Sequence, residues 1–542
     1  MSVMSWLMAR WAKLPPAETR NVALTRNLAI PMPDGVSLLA DHYAPVGLGE
    51  RPTVLTRSVY TDRTKGGWVT RLLAEYGFHA LVVSGRGTCG SGGELDPFAQ
   101  ERDDGLAVLA WLKRQDWFNG VLGTFGASYS GYTQWAIARD AGPMLQAMTT
   151  QITSSDFRSV LYPGNALALE IFLGWTSMVH HQEQPLPAFY ASLLGGRKRR
   201  AAACRHLPLG TADTVVLGDS VGFWREWLEH ESPEDPWWAR SDHSYTVAKV
   251  TAPNHLVSGW RDFMLPSLVR DYQALRRAGR DPYLTIGPWD HWDTGVSTTG
   301  FREGIGWLRA HLLGDRAGLR EMPVRVYVQG AEEWRDLPAR VRPQRWHLQP
   351  GGRLASAPPP ASGPDRYRYD PADPTPSVVR LPRLMRATTG KPDDQILERR
   401  ADVLAYTSAP LESDLEVIGI PVAEVHVGGD GEHTDLYVRL CDIQPSGAVR
   451  HVSDGLRRLA PGRSAPEPDG LWRVRLDLAP TAYRFGRGHR IRVQLAGGAF
   501  PRWNRNLGTG EPLATGTTMR AVSQHVAHDP AHPSAVTLPT TP

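Results

Sequence analysis

Cysteine is scarce in this chain of 542 residues, which carries only Cys89, Cys204 and Cys441. The three are odd in number and lie far apart, so they form neither a disulfide framework nor a metal-binding spacing. This scarcity excludes a small disulfide-stabilised scaffold and a zinc module. It also favours a reducing compartment, so we expect a cytoplasmic protein that works without a metal or another cofactor.

An excess of charge and a long apolar run are also lacking. The 60 basic and 56 acidic residues leave a formal net charge of +4, so we expect neither a nucleic-acid nor a membrane partner. No apolar stretch approaches the length of a membrane span. Arg10 and Lys13 interrupt the apolar start of the chain, which predicts an amphipathic first helix rather than a signal peptide. The basic cluster at 197–200 predicts a solvated helix end.

What the chain does have is a patterned, globular composition, with 41% hydrophobic and 21% charged residues. Its length predicts two or three domains. Strand and helix patterns alternate early in the chain and resume near residue 248, which predicts a parallel sheet covered on both faces. The predicted division is an α/β-hydrolase domain in two parts (1–150 and 246–340), a helical cap insertion (151–245), a Pro/Gly-rich connection (341–380) and a C-terminal β-sandwich (381–542).

Three local patterns underlie that division. Helix-like segments with few strand signals predict the insertion, at 166–179, 188–194 and around 223–228. Clusters of proline and glycine between 350 and 374 predict a connection without regular structure. Beyond it, apolar and polar residues alternate with period two, for example at 422–427, which predicts half-buried antiparallel strands of a β-sandwich.

The most informative motif is Gly-x-Ser-x-x-Gly at residues 126–131, in which Ser128 is the central serine. A short apolar run precedes it, and a helix-like segment over 132–139 follows. A strand, a tight turn and a helix in this order are typical of a nucleophile elbow, which lifts the serine hydroxyl above the sheet. Because glycine-flanked serines also occur in ordinary strand-to-helix turns, the motif alone leaves both interpretations open.

Two further residues complete a catalytic triad in the chain order of α/β-hydrolases, which is serine, acid, histidine. Asp262 follows the apolar segment 254–258, and His291 follows the segment 283–286 and a Gly-Pro turn. Both therefore belong at the carboxyl edge of a parallel sheet, where ligands of open α/β folds bind. Taken singly, Asp262 is equally well a helix N-cap and His291 a solvated histidine, so the prediction rests on their joint order with the serine.

Other residues compete for the same roles. Asp290 and Asp293 flank His291 and are rival acids, although a near neighbour's carboxylate usually points away from the imidazole. Ser130 is a rival nucleophile, but its position beyond the turn predicts a buried or misdirected hydroxyl. Arg261 stands beside the predicted acid, and the sequence assigns it no role.

The chain resembles the CocE/NonD family of serine hydrolases, which includes cocaine esterase and X-prolyl dipeptidyl aminopeptidase relatives. The matching segments extend over nearly the whole chain: 86–94, 101–105, 111–112, 117–120, 126–131, 259–262, 287–291, 500–506 and 524–529. This resemblance implies an α/β-hydrolase domain with a helical cap and a C-terminal jelly roll. It also implies that the hydroxyl of Tyr60 contributes to the oxyanion hole, although this chain carries Val59 where the family usually has proline.

The expected mechanism follows from the chemistry of a weak nucleophile. His291 removes the proton of Ser128 during attack, and Asp262 holds the imidazole in the required tautomer. The backbone N–H of Tyr129 is the first expected donor to the oxyanion. In the cap, three tryptophans are candidates for a substrate pocket, with packing of the cap as the alternative for each: Trp175, Trp224 and Trp227.

The sequence thus predicts a serine acyl hydrolase that cleaves a small-molecule carboxylic ester through an acyl-enzyme. The alternatives of the same fold are an amidase or X-Pro dipeptidyl peptidase, and an acyltransferase. Outside enzymes, the alternative is a catalytically silent scaffold whose β-sandwich binds a ligand. The acyl group, the leaving group and the oligomeric state stay open, because they depend on packing that motifs do not encode.

Overall fold

The computed structural model describes residues 3–337, 340–379, 387, 394–462 and 466–541. Within these residues the strands form two sheets, one of ten strands and one of thirteen. The first sheet has the strand order β1-β2-β4-β3-β5-β6-β7-β8-β9-β10, and its strands from β3 to β9 run parallel. Its strands are β1 (Val22–Pro31), β2 (Ser37–Pro45), β3 (Thr53–Ser58), β4 (His79–Ser84), β5 (Leu122–Ala127), β6 (Leu145–Gln151), β7 (Asn254–Arg261), β8 (Tyr283–Asp290), β9 (Val324–Val328) and β10 (Glu333–Leu337).

Helices surround this sheet and form an insertion between β6 and β7. The helices before the insertion are α1 (Val3–Trp11), α2 (Trp68–Glu75), α3 (Glu101–Leu112) and α4 (Tyr129–Ala138). The insertion contains α5 (Phe157–Leu161), α6 (Leu169–His181), α7 (Leu186–Gly195), α8 (Arg197–Arg205), α9 (Ala212–Leu217), α10 (Gly222–Glu229) and α11 (Ser244–Val247). After it come α12 (Leu265–Arg277) and α13 (Thr294–Leu312). No helix of the described residues is both long and apolar enough to cross a membrane.

Helices cover both faces of the first sheet because successive strand residues point to opposite sides. Leu55 of β3 belongs to the apolar core that contains residues of α3, α4 and α12. Its neighbour Val54 belongs to the opposite core, with residues of α1, α2 and α13. Parallel strands that are buried on both faces have nearly continuous apolar sequences, and β3 and β4 follow this pattern.

The second sheet forms the C-terminal β-rich part of the chain. Its described strands are β11 (Arg342–Gln349), β12 (Arg353–Ala355), β13 (Asp365–Tyr369), β14 (Val403–Ser408), β15 (Leu415–Gly419), β16 (Val422–Gly429), β17 (Thr434–Ile443), β18 (Val449–Leu459), β19 (Trp472–Asp477), β20 (Thr481–Phe485), β21 (Arg490–Ala496), β22 (Val522–Ala527) and β23 (Ala535–Thr540). Apolar side chains from these strands share one core.

The expected connection at 341–380 contains three strands, β11, β12 and β13, while its clusters of proline and glycine lie outside these strands. The Pro-Gly-Gly segment forms the turn between β11 and β12, where Gly351 and Gly352 both adopt φ of 69°. β11 pairs antiparallel with β23, about 190 residues farther along the chain. β11 also pairs antiparallel with β12 across the Pro-Gly-Gly turn, so this segment marks a local hairpin.

The insertion is fixed between the two sheets by buried polar contacts. Asn504 accepts a hydrogen bond from the Leu167 backbone N–H at 2.9 Å, and the Glu170 N–H donates to the Pro501 carbonyl at 3.1 Å. The basic cluster at 197–200 starts helix α8, but Arg200 in it is buried rather than solvated. The C-terminal part therefore contacts the insertion directly.

Candidate active site

Ser128 occupies the sharp turn between β5 and α4. Its backbone has φ of 57° and ψ of −122°, a conformation that costs a non-glycine residue energy and persists only where the surroundings enforce it. A Cβ at Gly126 would lie 2.5 Å from the Cβ of Ser130, and one at Gly131 would lie 2.6 Å from the Cβ of Thr153. The two glycines of the motif are thus required by close approach at both sides of the turn.

The ends of three parallel strands bring the predicted triad together. The His291 Nε2 lies 3.0 Å from the Ser128 Oγ, and the His291 Nδ1 lies 2.8 Å from the Asp262 Oδ1. The other carboxylate oxygen of Asp262 accepts a hydrogen bond from the Ser258 hydroxyl at 2.7 Å. The Met264 N–H also donates to this carboxylate, at 3.1 Å. The acid is therefore buried with both oxygens engaged and one of them directed at the imidazole.

The rival residues face elsewhere. Asp290 accepts a hydrogen bond from the Trp292 N–H at 2.9 Å, and Asp293 accepts one from the Gly295 N–H at 2.8 Å as the N-cap of α13. Ser130 lies in the first turn of α4 and is only 4% exposed. Both aspartates accept hydrogen bonds from nearby backbone N–H groups, which is a common role of this residue type next to a helix start.

Two groups that can donate hydrogen bonds lie beside the Ser128 side chain. The Tyr60 hydroxyl accepts a hydrogen bond from the Trp175 Nε1 at 3.0 Å and lies near the Ser128 side chain. Burial raises the pKa of the Tyr60 phenol, and its interactions with Trp175 and Ser128 oppose the rise. The Tyr129 N–H belongs to the first turn of α4, where backbone N–H groups have no carbonyl partner within the helix. A side-chain hydroxyl and a backbone N–H beside a serine hydroxyl are the kinds of donor that an oxyanion hole requires.

A buried ion pair lies beneath the turn. The Arg57 guanidinium contacts the Glu101 carboxylate at 2.5 Å, and the Tyr129 hydroxyl donates to the same carboxylate at 2.8 Å. Burial raises the pKa of Glu101, and Arg57 opposes that rise. A Cβ at Gly105 would lie 2.3 Å from a guanidinium nitrogen of Arg57, so this glycine admits the pair. The motif at 101–105 therefore anchors the residue that follows Ser128.

The loop that carries Tyr60 is held by the end of α6. The Gln182 side chain donates to the Val59 carbonyl at 2.8 Å. In return, the Lys65 ammonium donates to the carbonyls of Gln182 and Gln184, both at 2.7 Å. A cation at these carbonyls also interacts favourably with the C-terminal end of the helix. The insertion thus contacts the Tyr60 loop on both sides of the tyrosine.

Aromatic rings enclose the imidazole. The Phe263 ring centroid lies 4.6 Å from that of His291, and the Trp292 ring stands edge-on to His291 at 4.7 Å. Trp292 is 36% exposed and forms the outer wall. Such rings exclude water from the imidazole.

The three tryptophans of the insertion differ in position. Trp175 contacts Tyr60 directly through its indole nitrogen. The predicted pocket-lining role of Trp224 and Trp227 does not match their burial, because they are 0% and 1% exposed and line no space that water could enter. The Trp224 indole donates to the Leu209 carbonyl at 2.9 Å, inside the insertion. The alternative of packing within the cap fits the burial of these two side chains.

Sequence reasoning missed what three residues contribute, because it did not single out Ser258, assigned no role to Arg261 and named Trp175 only as a pocket candidate. Ser258 holds the acid, and nothing in its β-strand context distinguishes it from a packing residue. Arg261 donates to the Pro288 carbonyl at 2.6 Å, so it ties the end of β7 to the loop that delivers His291. The indole nitrogen of Trp175 is the third. No cluster of three or more His, Cys, Asp or Glu suited to a metal occurs in the described part of the chain.

Comparison with known proteins identifies the relatives of this chain. The family model of X-Pro dipeptidyl-peptidase (S15 family) matches residues 34–293, and that of the X-Pro dipeptidyl-peptidase C-terminal non-catalytic domain matches residues 317–537. The cocaine esterase of Rhodococcus sp. (strain MB1 Bresler) is 28% identical over 569 residues, which cover 96% of this chain and 99% of that protein.

Solved structures of the same architecture cover the whole chain. An alpha-amino acid ester hydrolase superposes with a TM-score of 0.79 at 22% identity, covering 97% of this chain and 98% of its own. An aminopeptidase from the marine sediment archaeon Thaumarchaeota archaeon superposes with a TM-score of 0.79 at 21% identity, covering 98% and 99%. The predicted α/β-hydrolase fold with a C-terminal β-rich domain is confirmed. The chain belongs to the CocE/NonD family of serine hydrolases and is an enzyme of that class.

Proposed function

We propose that this enzyme hydrolyses a carboxylic ester of a small molecule through an acyl-enzyme on Ser128. The observation that carries the proposal is the continuous set of contacts from Asp262 through His291 to Ser128. A chain that only bound a ligand would gain nothing from a hydroxyl, an imidazole and a buried carboxylate aligned in this order. The esterase and ester hydrolase names of the relatives point to the same chemistry.

Each of these groups has a defined role in acylation. The Ser128 Oγ attacks the ester carbonyl carbon while the His291 Nε2 takes the hydroxyl proton, which gives a tetrahedral oxyanion and an imidazolium. Asp262 stabilises the imidazolium through its hydrogen bond to Nδ1. The oxyanion accepts hydrogen bonds from the Tyr60 hydroxyl and the Tyr129 N–H, and each such donor contributes about 3 to 4 kcal/mol to transition-state stabilisation. His291 then protonates the departing alkoxide, and the ester C–O bond breaks.

Deacylation reverses the roles. A water molecule enters where the alcohol left, His291 takes its proton, and the resulting hydroxide attacks the acyl carbon. Collapse of the second tetrahedral intermediate breaks the bond to Ser128, which recovers its proton from His291. If an alcohol or amine replaces water in this step, the product is an acyl-transfer product. The insertion at 151–245 covers the site in this scheme and selects the acyl group.

The test measures hydrolysis of a series of short p-nitrophenyl esters by the wild type, Ser128→Ala and the matched variant Ser130→Ala. Intact-mass analysis after treatment with a fluorophosphonate accompanies the kinetics. We expect turnover and a single adduct in the wild type and Ser130→Ala, and neither in Ser128→Ala.

Other outcomes separate the alternatives. An adduct on Ser128 without ester turnover would favour the transferase, and cleavage of X-Pro p-nitroanilides above the ester rate would favour the peptidase. Absence of both turnover and adduct in the wild type would contradict the proposal and leave the ligand-binding scaffold.

A further inference from the structure

We propose that Trp175 is a positioning residue whose indole N–H directs the phenol proton of Tyr60 into the oxyanion hole. This inference rests on the proposed function, because it concerns the same acyl transfer on Ser128. It starts from a contact within the insertion that the triad does not require. The Trp175 Nε1 lies 3.0 Å from the Tyr60 hydroxyl oxygen, which is an ordinary N–H···O distance.

The direction of this hydrogen bond follows from the chemistry of the two groups. An indole N–H only donates, so the phenol oxygen of Tyr60 must be the acceptor. A phenol carries a single proton, and that proton cannot point at a donor. The Tyr60 hydroxyl also lies near the Ser128 side chain. The phenol proton is therefore left to point at the space beside Ser128, where the oxyanion forms.

Donation by the indole has a second consequence. A hydroxyl that accepts a hydrogen bond becomes polarised and donates more strongly to its own acceptor. The donor is also aligned before reaction begins, which is the condition under which an oxyanion hole lowers the barrier most. Trp175 thus acts through Tyr60 and does not need to touch the substrate.

Packing prevents the indole from turning away. The Trp175 ring lies parallel to the Tyr129 ring, with centroids 6.4 Å apart and an interplanar angle of 1°. The Trp227 ring lies 6.0 Å away and the Phe98 ring 5.9 Å away. Only 8% of Trp175 is exposed. The ring is held on several sides, so its N–H has one available direction.

Helix α6 carries both this indole and the contacts to the Tyr60 loop. Gln182, two turns after Trp175, donates its side-chain N–H to the Val59 carbonyl at 2.8 Å. The tyrosine is thus fixed at its hydroxyl and at the peptide that precedes it by the same helix. Completion of the oxyanion hole consequently depends on the seating of α6 against the first sheet.

A double-mutant cycle tests the inference. The variants are Trp175→Phe, Tyr60→Phe and the combination, with Trp224→Phe as the matched control that removes an indole hydrogen bond elsewhere in the insertion. We expect Tyr60→Phe to lower kcat by roughly 10² to 10³-fold. Trp175→Phe should lower kcat by roughly 5- to 20-fold with KM changed less than about twofold, since one hydrogen bond is lost. In the Tyr60→Phe background the same change should cost less than about twofold.

The competing role of Trp175 is a wall for the acyl group, and the cycle distinguishes it. A wall would raise KM and would cost the same factor in both backgrounds. That result, or an unchanged kcat in Trp175→Phe, would overturn the inference. If Trp175→Phe fails to fold, benzothienylalanine at position 175 keeps the bicyclic shape without the N–H and replaces it in the cycle.

The rate of fluorophosphonate labelling of Ser128 provides a readout that needs no substrate. The same non-additive pattern is expected in that rate, because the phosphoryl oxygen occupies the oxyanion hole. Absence of labelling in the wild type would remove the proposed function and this inference together. Labelling in the wild type with equal losses in both backgrounds would overturn this inference alone.

Discussion

The two halves of the proposed active site are built in different ways. The proposed proton relay of Ser128, Asp262 and His291 comes from the carboxyl ends of β5, β7 and β8, which belong to one sheet. The proposed oxyanion half joins Tyr60, on a loop after β3, to Trp175 of the insertion. One half is thus set by strand pairing within a single sheet, and the other by contact between two parts of the chain.

This difference predicts which substitutions disturb each half. Strand ends are placed by backbone ladders and by apolar packing on both faces, so the relay tolerates changes in the insertion. The oxyanion half depends on how α6 sits, because the indole donor and the Gln182 contact share that helix. Substitutions at the surface of the insertion should therefore affect catalysis through Tyr60 and leave the relay unchanged.

The largest expected effect breaks the relay half. Asp262→Asn removes the carboxylate that accepts from the His291 Nδ1 at 2.8 Å and so leaves the imidazole in the wrong tautomer. We expect kcat for a p-nitrophenyl ester to fall on the order of 10⁴-fold with the fold unchanged. Steady-state kinetics and circular dichroism measure the two quantities.

The matched control is Asp293→Asn, the same chemical change at the rival acid. Asp293 caps α13 through its contact with the Gly295 N–H, and an asparagine carbonyl caps equally well. Its kcat should stay within about twofold of the wild type, given that residue types equivalent at a cap differ by only tenths of a kcal/mol. A larger loss in Asp293→Asn than in Asp262→Asn would contradict the assignment of the acid.

A smaller effect is expected from the contacts that seat α6. Lys65→Met keeps the apolar stem of the side chain but removes the ammonium that donates to the carbonyls of Gln182 and Gln184. Because Lys65 is exposed, we expect kcat to fall only about 2- to 10-fold, the worth of one net hydrogen bond. Lys113→Met, at an exposed lysine beyond the end of α3, is the control.

The comparison is sharpened by combining Lys65→Met with Tyr60→Phe. If the lysine acts by placing the tyrosine, its effect should vanish in the Tyr60→Phe background. An undiminished loss there would show that the ammonium acts on the relay or on the substrate instead.

The smallest effect on activity is expected from a substitution in β2, near one edge of the first sheet. This prediction concerns how the free energy of unfolding depends on pH. His42 of β2 contacts His79 through Nε2···Nδ1 at 2.9 Å and stacks on Trp117 at 3.8 Å. Burial, with a smaller contribution from His79, lowers the pKa of His42 to about 3. In the folded state this ring therefore stays neutral at pH values where the unfolded chain binds a proton.

The sign of the pH dependence follows. Between about pH 6.5 and pH 3 the unfolded state holds the extra proton, so the free energy of unfolding falls as pH falls, by up to about 1.4 kcal/mol per pH unit for this group. We expect His42→Phe, which keeps a ring on Trp117, to lose less stability than the wild type between pH 7 and pH 5. Urea denaturation followed by circular dichroism measures this, and parallel curves would contradict it. Activity at pH 7 should not change.

Much of the relay could be predicted from local sequence. The Gly-x-Ser-x-x-Gly segment predicts a tight turn. In the structure its two glycines lie so close to Ser130 and Thr153 that no larger residue fits at either position. Asp262 and His291 each follow an apolar run that is legible as a buried strand. Strand-helix alternation then predicts that such ends share one edge. Only the general argument from closeness in sequence spoke against Asp290 and Asp293 as the triad acid. In the structure, both side chains accept hydrogen bonds from nearby backbone N–H groups.

Other parts of the molecule left an ambiguous local signal or none. The Pro-Gly-Gly segment predicts a break in regular structure, yet it is the turn between β11 and β12, which pair with each other. Trp175, Trp224 and Trp227 are equivalent in sequence, yet Trp175 donates to Tyr60 and the other two are buried in the insertion. Ser258 and Arg261 hold the acid and the histidine loop through contacts that depend on their neighbours rather than on their own type.

The sequence by itself determined the fold class, the family and the order of the three relay residues, because periodicity, turn chemistry and motif spacing are local properties of the chain. Only the tertiary structure decided which tryptophan meets Tyr60, which oxygen of Asp262 faces His291 and how α6 sits on the Tyr60 loop. These are contacts between residues far apart in the chain. Their geometry follows from how two cores pack against each other, which no local pattern specifies.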